Sequence, residues 1–391
     1  MTSEVKWTRE AILTDEVIEK QRSRVGKKMR ADNVRSPYAN EDGIIAFAHA
    51  IGDENPLWVD PEYGKKTRYG SQVAPTPYLC VQSTGEIMQG MPGIQAYHSS
   101  TRWEAFKPIY AGDKIRLDCV FKDFMEKKSD FAPRWFIEVY ETLYYNQFDE
   151  LIAKNTSGMV RVDRAGTKQK GKFKKLIIPH PWTEEERRKV EKEMVDSDIR
   201  RGSVPRYWED VKLGEELPTL VVGPVRMCDL IAWVSATSMF FTRAAQVQQR
   251  LLDRHPGLGM LHPDSNAVEL IPIVHWDRKA AVTTGLPGAY DLGAQRSSFW
   301  NHSLTNWAGD DGWVKINDCQ YRAFVYMGDA LWFKAKVVKK YVDADGDYCV
   351  DIESHAVNQR EEDTMPGLST VALPSREKRI GPLDRIVRKL K

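Results

Sequence analysis

Alternating apolar and polar positions run through several segments of this chain and predict β-strands. These segments are rich in β-branched and aromatic residues, and their period of two is that of a strand with one buried face. They span residues 100–106, 113–127, 134–146 and 151–163 in the first half, and 313–325, 330–342 and 347–357 in the second. Because the strands follow one another without long helices between them, we expect antiparallel sheets.

A second pattern, with apolar residues three or four positions apart, predicts helices. Residues 12–30 have the charge and spacing of an amphipathic helix. Asn40 is a plausible cap for a second helix whose Ile44 and Phe47 face inward, and Gly52 ends it. After two prolines, the apolar stretch 76–90 predicts a helix that the first sheet wraps.

Three short motifs recur in the same order in the two halves, which predicts a duplicated unit. Ile45-Ala46-Phe47 returns as Ile231-Ala232-Trp233. Trp58-Val59-Asp60 returns as His275-Trp276-Asp277, and Ala111-Gly112-Asp113 as Met327-Gly328-Asp329. The offset of the first pair differs from those of the other two, so the second half carries an insertion, about residues 237–268.

The segment from Asp42 to Thr76 resembles the signature of MaoC-like hydratases of the hotdog superfamily. Gly52, Asp53, Asn55 and Pro56 match the family motif G-D-x-N-P-x-H, but Trp58 stands at the His position. The segments 208–218, 285–300 and 306–314 resemble the C-terminal half of double-hotdog dehydratases. The resemblance implies an α+β fold in which two antiparallel sheets each wrap a central helix.

The resemblance and the repeat together predict four regions. They are an N-terminal hotdog with a degenerate MaoC-like motif at 1–163, a charged helical linker at 164–206, a C-terminal MaoC-like hotdog at 207–360, and a basic tail at 361–391. Thr183 and Glu186 form a capping-box pattern in the linker. The halves should pair side by side, because a lone hotdog sheet exposes an edge.

In the family, the Asp and His of the motif hold the water that adds to an α,β-unsaturated thioester, and a Gly N–H polarises the thioester oxygen. Counting 18 residues forward from Trp58 reaches Thr76, and from His275 reaches Gly293. The second half therefore keeps both the His and the Gly. We expect His275 to be catalytic and Gly293 to bind substrate.

Two residues are candidates for the carboxylate of this site. Asp53 follows the motif but lies in the first half, whereas Glu269 lies in the second half, one residue out of register. We favour Glu269 over a shared pair of Asp53 and His275, because pseudo-twofold symmetry separates equivalent loops. Further substrate-binding candidates are Asn55, Tyr290, Asp291 and Trp276.

The implied reaction is reversible hydration of a 2-enoyl-CoA to a 3-hydroxyacyl-CoA, that is, a lyase reaction. Large aromatic residues near the expected pocket, namely Phe240, Phe241, Trp276, Phe299 and Trp300, suggest a bulky acyl group. Relatives act on long-chain, branched, dicarboxylic or steroid-derived acyl-CoAs, as in fatty acid or steroid catabolism. A non-catalytic acyl-thioester-binding protein and an acyl-CoA thioesterase remain alternatives, and acyl carrier protein can replace CoA as the carrier.

Composition excludes several other classes. The 57 basic and 55 acidic residues nearly cancel, so no overall field attracts nucleic acid. Five cysteines without paired spacing predict neither disulfides nor a metal site. No signal peptide or membrane span is visible, so we expect a cytoplasmic protein without a cofactor. We also expect a homo-oligomer or association with another hotdog subunit.

Overall fold

The computed structural model describes residues 12–29, 36–82, 90–91, 93–128, 134–163, 176–237 and 242–388. Ten strands of this part form one antiparallel sheet in the order β1-β5-β6-β7-β3-β11-β14-β13-β12-β8. The strands are β1 Lys28–Met29, β2 Val73–Ala74, β3 Gln95–Ala105, β4 Ile109–Tyr110, β5 Arg116–Lys127, β6 Trp135–Tyr145, β7 Leu151–Val162, β8 Leu220–Val222, β9 Gly259–Leu261, β10 Val268–Leu270, β11 Trp313–Gln320, β12 Leu331–Val342, β13 Tyr348–Asn358 and β14 Asp363–Leu373. Two further pairs, β2 with β4 and β9 with β10, stand apart from this sheet.

The large sheet consists of two five-stranded halves joined edge to edge. Strand β3 of the first half pairs antiparallel with β11 of the second, with Trp103 opposite Asn317. Each half repeats the same order, so β3, β7, β6, β5 and β1 correspond to β11, β14, β13, β12 and β8. The predicted side-by-side pairing is confirmed, and it covers the edge that each half alone would expose.

Ten helices lie in the described part of the chain. They are α1 Asp15–Arg22, α2 Glu41–Ala50, α3 Pro56–Val59, α4 Pro61–Lys66, α5 Glu184–Asp196, α6 Met227–Thr237, α7 Ala245–Arg254, α8 Arg278–Thr283, α9 Gly293–Ala308 and α10 Leu383–Ile386. Helix α9 has 16 residues, nearly all of them buried, and is the central helix of the second half. The equivalent helices α2 and α6 meet through Phe47 and Trp233, whose ring centroids are 5.5 Å apart.

Several local predictions are confirmed. The Asn40 side chain accepts a hydrogen bond from the Gly43 N–H at 2.7 Å and so caps α2. Gly52 follows that helix with φ +64°, a backbone conformation that glycine adopts without steric strain. Thr183 and Glu186 form the complete capping box of α5.

Other boundaries differ from the predictions. Helix α1 ends at Arg22 and is followed by β1, so the N-terminal helix is shorter than expected. In the stretch 76–90, the structure describes a 3-10 helix over Thr76–Val81, and residues 83–89 lie outside the described part.

The boundary predicted at residue 360 is wrong. Residues 363–373 are not a tail but β14, which pairs with β11 on one side and β13 on the other. Two of the basic residues after β14 form ion pairs with earlier parts of the chain. Arg376 forms an ion pair with Asp210 at 2.6 Å, and Arg388 forms one with Asp113 at the same distance. Among the described helices, none is long and apolar enough to cross a membrane.

Candidate functional site

The second-half site is built around His275 and the start of helix α9. His275 ends a 3-10 helix, Ile271–His275, and its Nδ1 lies 3.0 Å from the carbonyl oxygen of Tyr290. A carbonyl only accepts hydrogen bonds, so Nδ1 carries the proton and Nε2 has the lone pair. Burial lowers the pKa of His275 to about 4, and the imidazole is therefore neutral at pH 7.

The Tyr290 carbonyl connects this imidazole to the N-terminus of α9, which begins three residues later at Gly293. Among the described residues, no side chain caps this end of the helix. The first N–H groups of a helix have no partner within the helix and favour negative charge. His275 therefore contacts the segment that leads into Gly293 and helix α9.

Gly293 also lies against an aromatic ring. A Cβ atom at this position would come within 2.9 Å of the Tyr321 ring. The Tyr321 hydroxyl donates to Thr101 Oγ1 at 2.9 Å, and Thr101 Oγ1 lies 3.0 Å from His98 Nε2. Burial, assisted by the charge of Arg296, lowers the pKa of His98 to about 4.

No sequence pattern predicted this contact of Tyr321, Thr101 and His98. His98 and Thr101 lie on strand β3 of the first half, whereas Tyr321 follows β11 of the second. The strand pairing at the junction of the halves places them together. The site at Gly293 is therefore composed of both halves.

The predicted carboxylates make no described bond to His275. Asp53 accepts from the Asn55 N–H at 2.9 Å and the Trp58 indole N–H at 2.8 Å, all within the first half. Glu269 is on β10, opposite Met260, and its carboxylate has no hydrogen bond or ion pair within the described residues. No hydrogen bond or ion pair joins either carboxylate to His275 in the described part of the chain.

The other predicted substrate-binding residues have clear structural contacts. Asn55 caps α3 through a hydrogen bond from the Leu57 N–H. Both Asp291 oxygens are held by Arg296 at 2.6 and 2.8 Å, in a buried bidentate pair. The Tyr290 ring lies 4.4 Å from that of His275, and Trp276 packs against the hydrophobic core.

Of the aromatic residues expected to indicate a bulky acyl group, two belong to the core. Trp300 is fully buried and its indole N–H donates to Ser369, while Phe299 is buried in the same cluster. Phe240 and Phe241 lie outside the described residues.

A cluster at the junction of the two halves contains His302 of helix α9. Its Nε2 lies 2.9 Å from Asp198 Oδ1 and 3.6 Å from Asp53 Oδ1. Burial opposes protonation of His302, but the nearby charges of Asp53 and Asp198 outweigh burial and raise the pKa of the imidazole. This cluster joins the first-half loop, the linker and the central helix of the second half.

A cleft lies at the first-half counterpart of the His275 site. It encloses about 490 Å³, part of which is open to solvent, and its walls include both Trp58 and Thr76. These are the residues that the repeat aligns with His275 and Gly293. In the first half, the duplicated spacing therefore brings these two positions to the wall of one cleft.

Solved structures share the overall fold. A MaoC-like dehydratase superposes with a TM-score of 0.61 at 16% identity, over 91% of this chain and 99% of that chain. A MaoC domain protein dehydratase from Chloroflexus aurantiacus gives a TM-score of 0.54 at 11% identity, over 90% and 96%. A conserved Mycobacterium tuberculosis protein with a double hotdog fold gives 0.54 at 11% identity, over 89% and 96%.

The chain is a double hotdog. The predicted resemblance to MaoC-like double-hotdog proteins is confirmed at the level of the fold. Residues 26–155 also match the family model of the FAS1-like dehydratase domain region. That match covers the first half, where Trp58 replaces the motif His.

Curated relatives match shorter stretches. A UPF0336 protein of Streptomyces avermitilis is 29% identical over 89 residues, which is 21% of this chain and 59% of that protein. A UPF0336 protein of Parafrankia is 33% identical over 81 residues, 18% of this chain and 52% of that protein. The chain thus spans little more than half the length of these curated relatives.

Proposed function

We propose that this double hotdog catalyses reversible hydration of a 2-enoyl thioester to a 3-hydroxyacyl thioester at the second-half site. The observation that carries the proposal is the hydrogen bond between His275 Nδ1 and the Tyr290 carbonyl. It fixes a neutral imidazole, with Nε2 as the basic nitrogen, next to the N-terminus of helix α9. The double-hotdog fold shared with MaoC-like dehydratases supports the same reaction class.

In this reaction His275 Nε2 takes a proton from water while the water oxygen bonds to C3 of the enoyl group. The electron pair of the C2–C3 double bond moves toward the thioester oxygen, which becomes enolate-like. N–H groups at the first turn of α9, beginning with Gly293, stabilise that oxygen. A proton then adds to C2, which completes the hydration.

Two sources are available for the proton on C2. Glu269 supplies it if its carboxyl group is protonated and the loop brings that group to the substrate; the carboxylate that results then takes back the proton that His275 removed from water. Otherwise the imidazolium of His275 returns the proton that it took from water, which balances the reaction with a single group. A CoA or acyl-carrier-protein thioester is the proposed substrate, and a bulky acyl group remains part of the proposal.

The asymmetry between the halves supports the second half as the active one. In the first half the Trp58 indole donates directly to Asp53, so that carboxylate is engaged by protein instead of water. One observation favours a non-catalytic acyl-thioester-binding protein instead: neither Asp53 nor Glu269 bonds to His275.

The test is to incubate the purified chain with 2-enoyl-CoAs of increasing acyl size and follow the conjugated-thioester absorbance and free CoA separately. We expect absorbance loss, with 3-hydroxyacyl-CoA as product and no CoA release. Release of CoA would show a thioesterase. Saturable binding without loss of absorbance for any chain length would contradict catalysis and support the binding protein.

A further inference from the structure

Arg296 lies on the first turn of helix α9 and is only 3% exposed. Its Nε and Nη2 donate to the two carboxylate oxygens of Asp291 at 2.8 and 2.6 Å. Its Nη1 donates to the carbonyl oxygens of Ala323 at 3.1 Å and Thr364 at 3.0 Å. The planar guanidinium thus fixes Asp291 in a bidentate pair and joins it to β14 and to the segment after β11.

This pair holds the segment that orients the imidazole of His275. Asp291 directly follows Tyr290, whose carbonyl oxygen lies 3.0 Å from His275 Nδ1. The Asp291 N–H also donates to the Val325 carbonyl at 2.8 Å. Because Asp291 is fixed through both its backbone and its side chain, the Tyr290 carbonyl has a set direction and selects the Nδ1–H tautomer of the imidazole.

Asp291 also supplies a negative charge beside the imidazole. Burial lowers the pKa of His275, whereas the Tyr290 carbonyl and the charge of Asp291 raise it. Arg296 is the counter-ion of Asp291, and the Tyr290 ring packs 4.4 Å from the imidazole. When His275 takes a proton from water, Asp291 therefore stabilises the imidazolium, and the position of Asp291 depends on Arg296.

The first half has hydrophobic residues at the positions of this ion pair. The offset of 217 that aligns the two halves from their active loops onward places Ala74 at the position of Asp291. It places Leu79 at the position of Arg296, and both first-half residues are buried. A buried ion pair is often no more stable than hydrophobic residues in its place. Packing therefore does not explain why the second half has the pair, whereas a role at His275 does.

We infer that Arg296 is a positioning residue of the His275 site, which acts through Asp291 and the Tyr290 carbonyl. Arg296 holds Asp291, Asp291 holds the Tyr290 carbonyl, and this carbonyl keeps the imidazole proton on Nδ1. His275 Nε2 is therefore ready to take a proton from water. The inference rests on the proposed function for its effect on turnover, but the tautomer of His275 is measured without a substrate.

The test replaces the pair by the residue types of the first half, as Asp291→Ala combined with Arg296→Leu. No unpaired charge stays buried, so we expect this double variant to fold, which a thermal melt checks. Long-range proton–nitrogen NMR spectra of the full chain with labelled histidines report the tautomer of His275 at pH 7, and the spectrum of His275→Ala assigns its signals. We expect the Nδ1–H tautomer in the wild type and a mixture of both tautomers in the double variant.

Turnover of 2-enoyl-CoA by the same double variant gives the second measurement. We expect kcat to fall at least about tenfold, because a displacement of about 1 Å in a reacting group can cost about 10²-fold. KM should change less, since the altered residues act through His275 and not through contacts with the substrate.

Arg296→Lys is the second variant, and it carries the test if the double variant does not fold. Lysine keeps the positive charge but lacks the planar fork that binds a carboxylate through two hydrogen bonds, so the same changes should appear to a smaller extent. The matched control removes a buried pair of the first half, as Glu138→Leu combined with Arg161→Leu. It should change neither the tautomer of His275 nor kcat.

An unchanged tautomer in the folded variants of Asp291 and Arg296 overturns the inference, and so does a changed tautomer with wild-type kcat. Equal changes in the control would also overturn it. If the wild-type chain turns over no enoyl-CoA, the proposed function fails, and the tautomer of His275 alone then decides the inference.

Discussion

The Trp58 indole N–H donates to Asp53 Oδ2 at 2.8 Å, and both residues are buried. At the positions where the family motif has a catalytic pair, this half has a structural one. Trp58→Phe would leave Oδ2 of a fully buried carboxylate without this donor. We expect a loss of about 1–3 kcal/mol in the free energy of unfolding, measured by urea denaturation. Turnover should stay near the wild-type value, and a catalytic first half would instead lose it.

The cluster of Asp53, His302 and Asp198 should make stability depend on pH. The pKa of His302 is raised in the folded state, so its stabilising charge is present below the ordinary imidazole pKa of about 6.5. That contribution is lost as the pH rises through the higher folded pKa. The free energy of unfolding should therefore fall as the pH increases above about 6.5.

His302→Gln should abolish this part of the pH dependence and destabilise the chain by about 3 kcal/mol, because it leaves a buried carboxylate without its cation. The matched control is His355→Gln, which breaks a more exposed pair with Asp363 at 2.7 Å. An exposed pair of this kind contributes about 0–1 kcal/mol. Equal effects of the two substitutions would contradict a buried ionic junction between the halves.

Gly293 should tolerate no side chain if thioesters approach the start of α9. Gly293→Val should reduce kcat/KM by at least about 10²-fold, the scale of a lost transition-state hydrogen-bond donor, whereas Thr76→Val should be nearly silent. Because the added Cβ also meets the Tyr321 ring, a second variant separates the two effects. Gly293→Ala combined with Tyr321→Leu relieves the contact. If this double variant recovers both the melting temperature and full activity, Gly293 is needed only to make room for the Tyr321 ring and not to bind the thioester.

The two candidate carboxylates can be distinguished by nearly isosteric changes. Asp53→Asn should lower the melting temperature, because it removes the charge beside His302, and should leave turnover largely intact. Glu269→Gln should leave the melting temperature unchanged, since this side chain has no described partner. Lower kcat in Glu269→Gln would assign the proton on C2 to Glu269, and unchanged kcat would assign it to His275. Lost turnover with an unchanged melt in Asp53→Asn alone would contradict the second-half site.

Much of the fold follows from local sequence. The strands of both halves have the alternation of half-buried strands, and Asn40 and Thr183 cap helices as their residue types predict. Strand β14 was missed because Pro366 and Gly367 interrupt its pattern and basic residues follow it. Strand β14 lies between β11 and β13, as β7 lies between β3 and β6 in the first half. This pairing depends on the folded structure and not on the local sequence.

The site was predictable only where it depends on spacing. His275 and Gly293 lie on one continuous segment, and the repeat aligns them with Trp58 and Thr76, which have the same spacing. The contacts of His302 with Asp198, and of Tyr321 with Thr101, join residues 104 and 220 positions apart. Nothing in a single sequence relates such pairs.

The central claim is that His275 is the base of a hydratase, and the most direct measurement is kcat for 2-enoyl-CoA hydration by His275→Ala. Trp58→Ala is the matched control in the other half, and circular dichroism confirms that both variants fold. We predict that His275→Ala lowers kcat by at least about 10²-fold, while Trp58→Ala affects stability more than kcat. Near-wild-type kcat in folded His275→Ala would contradict the account.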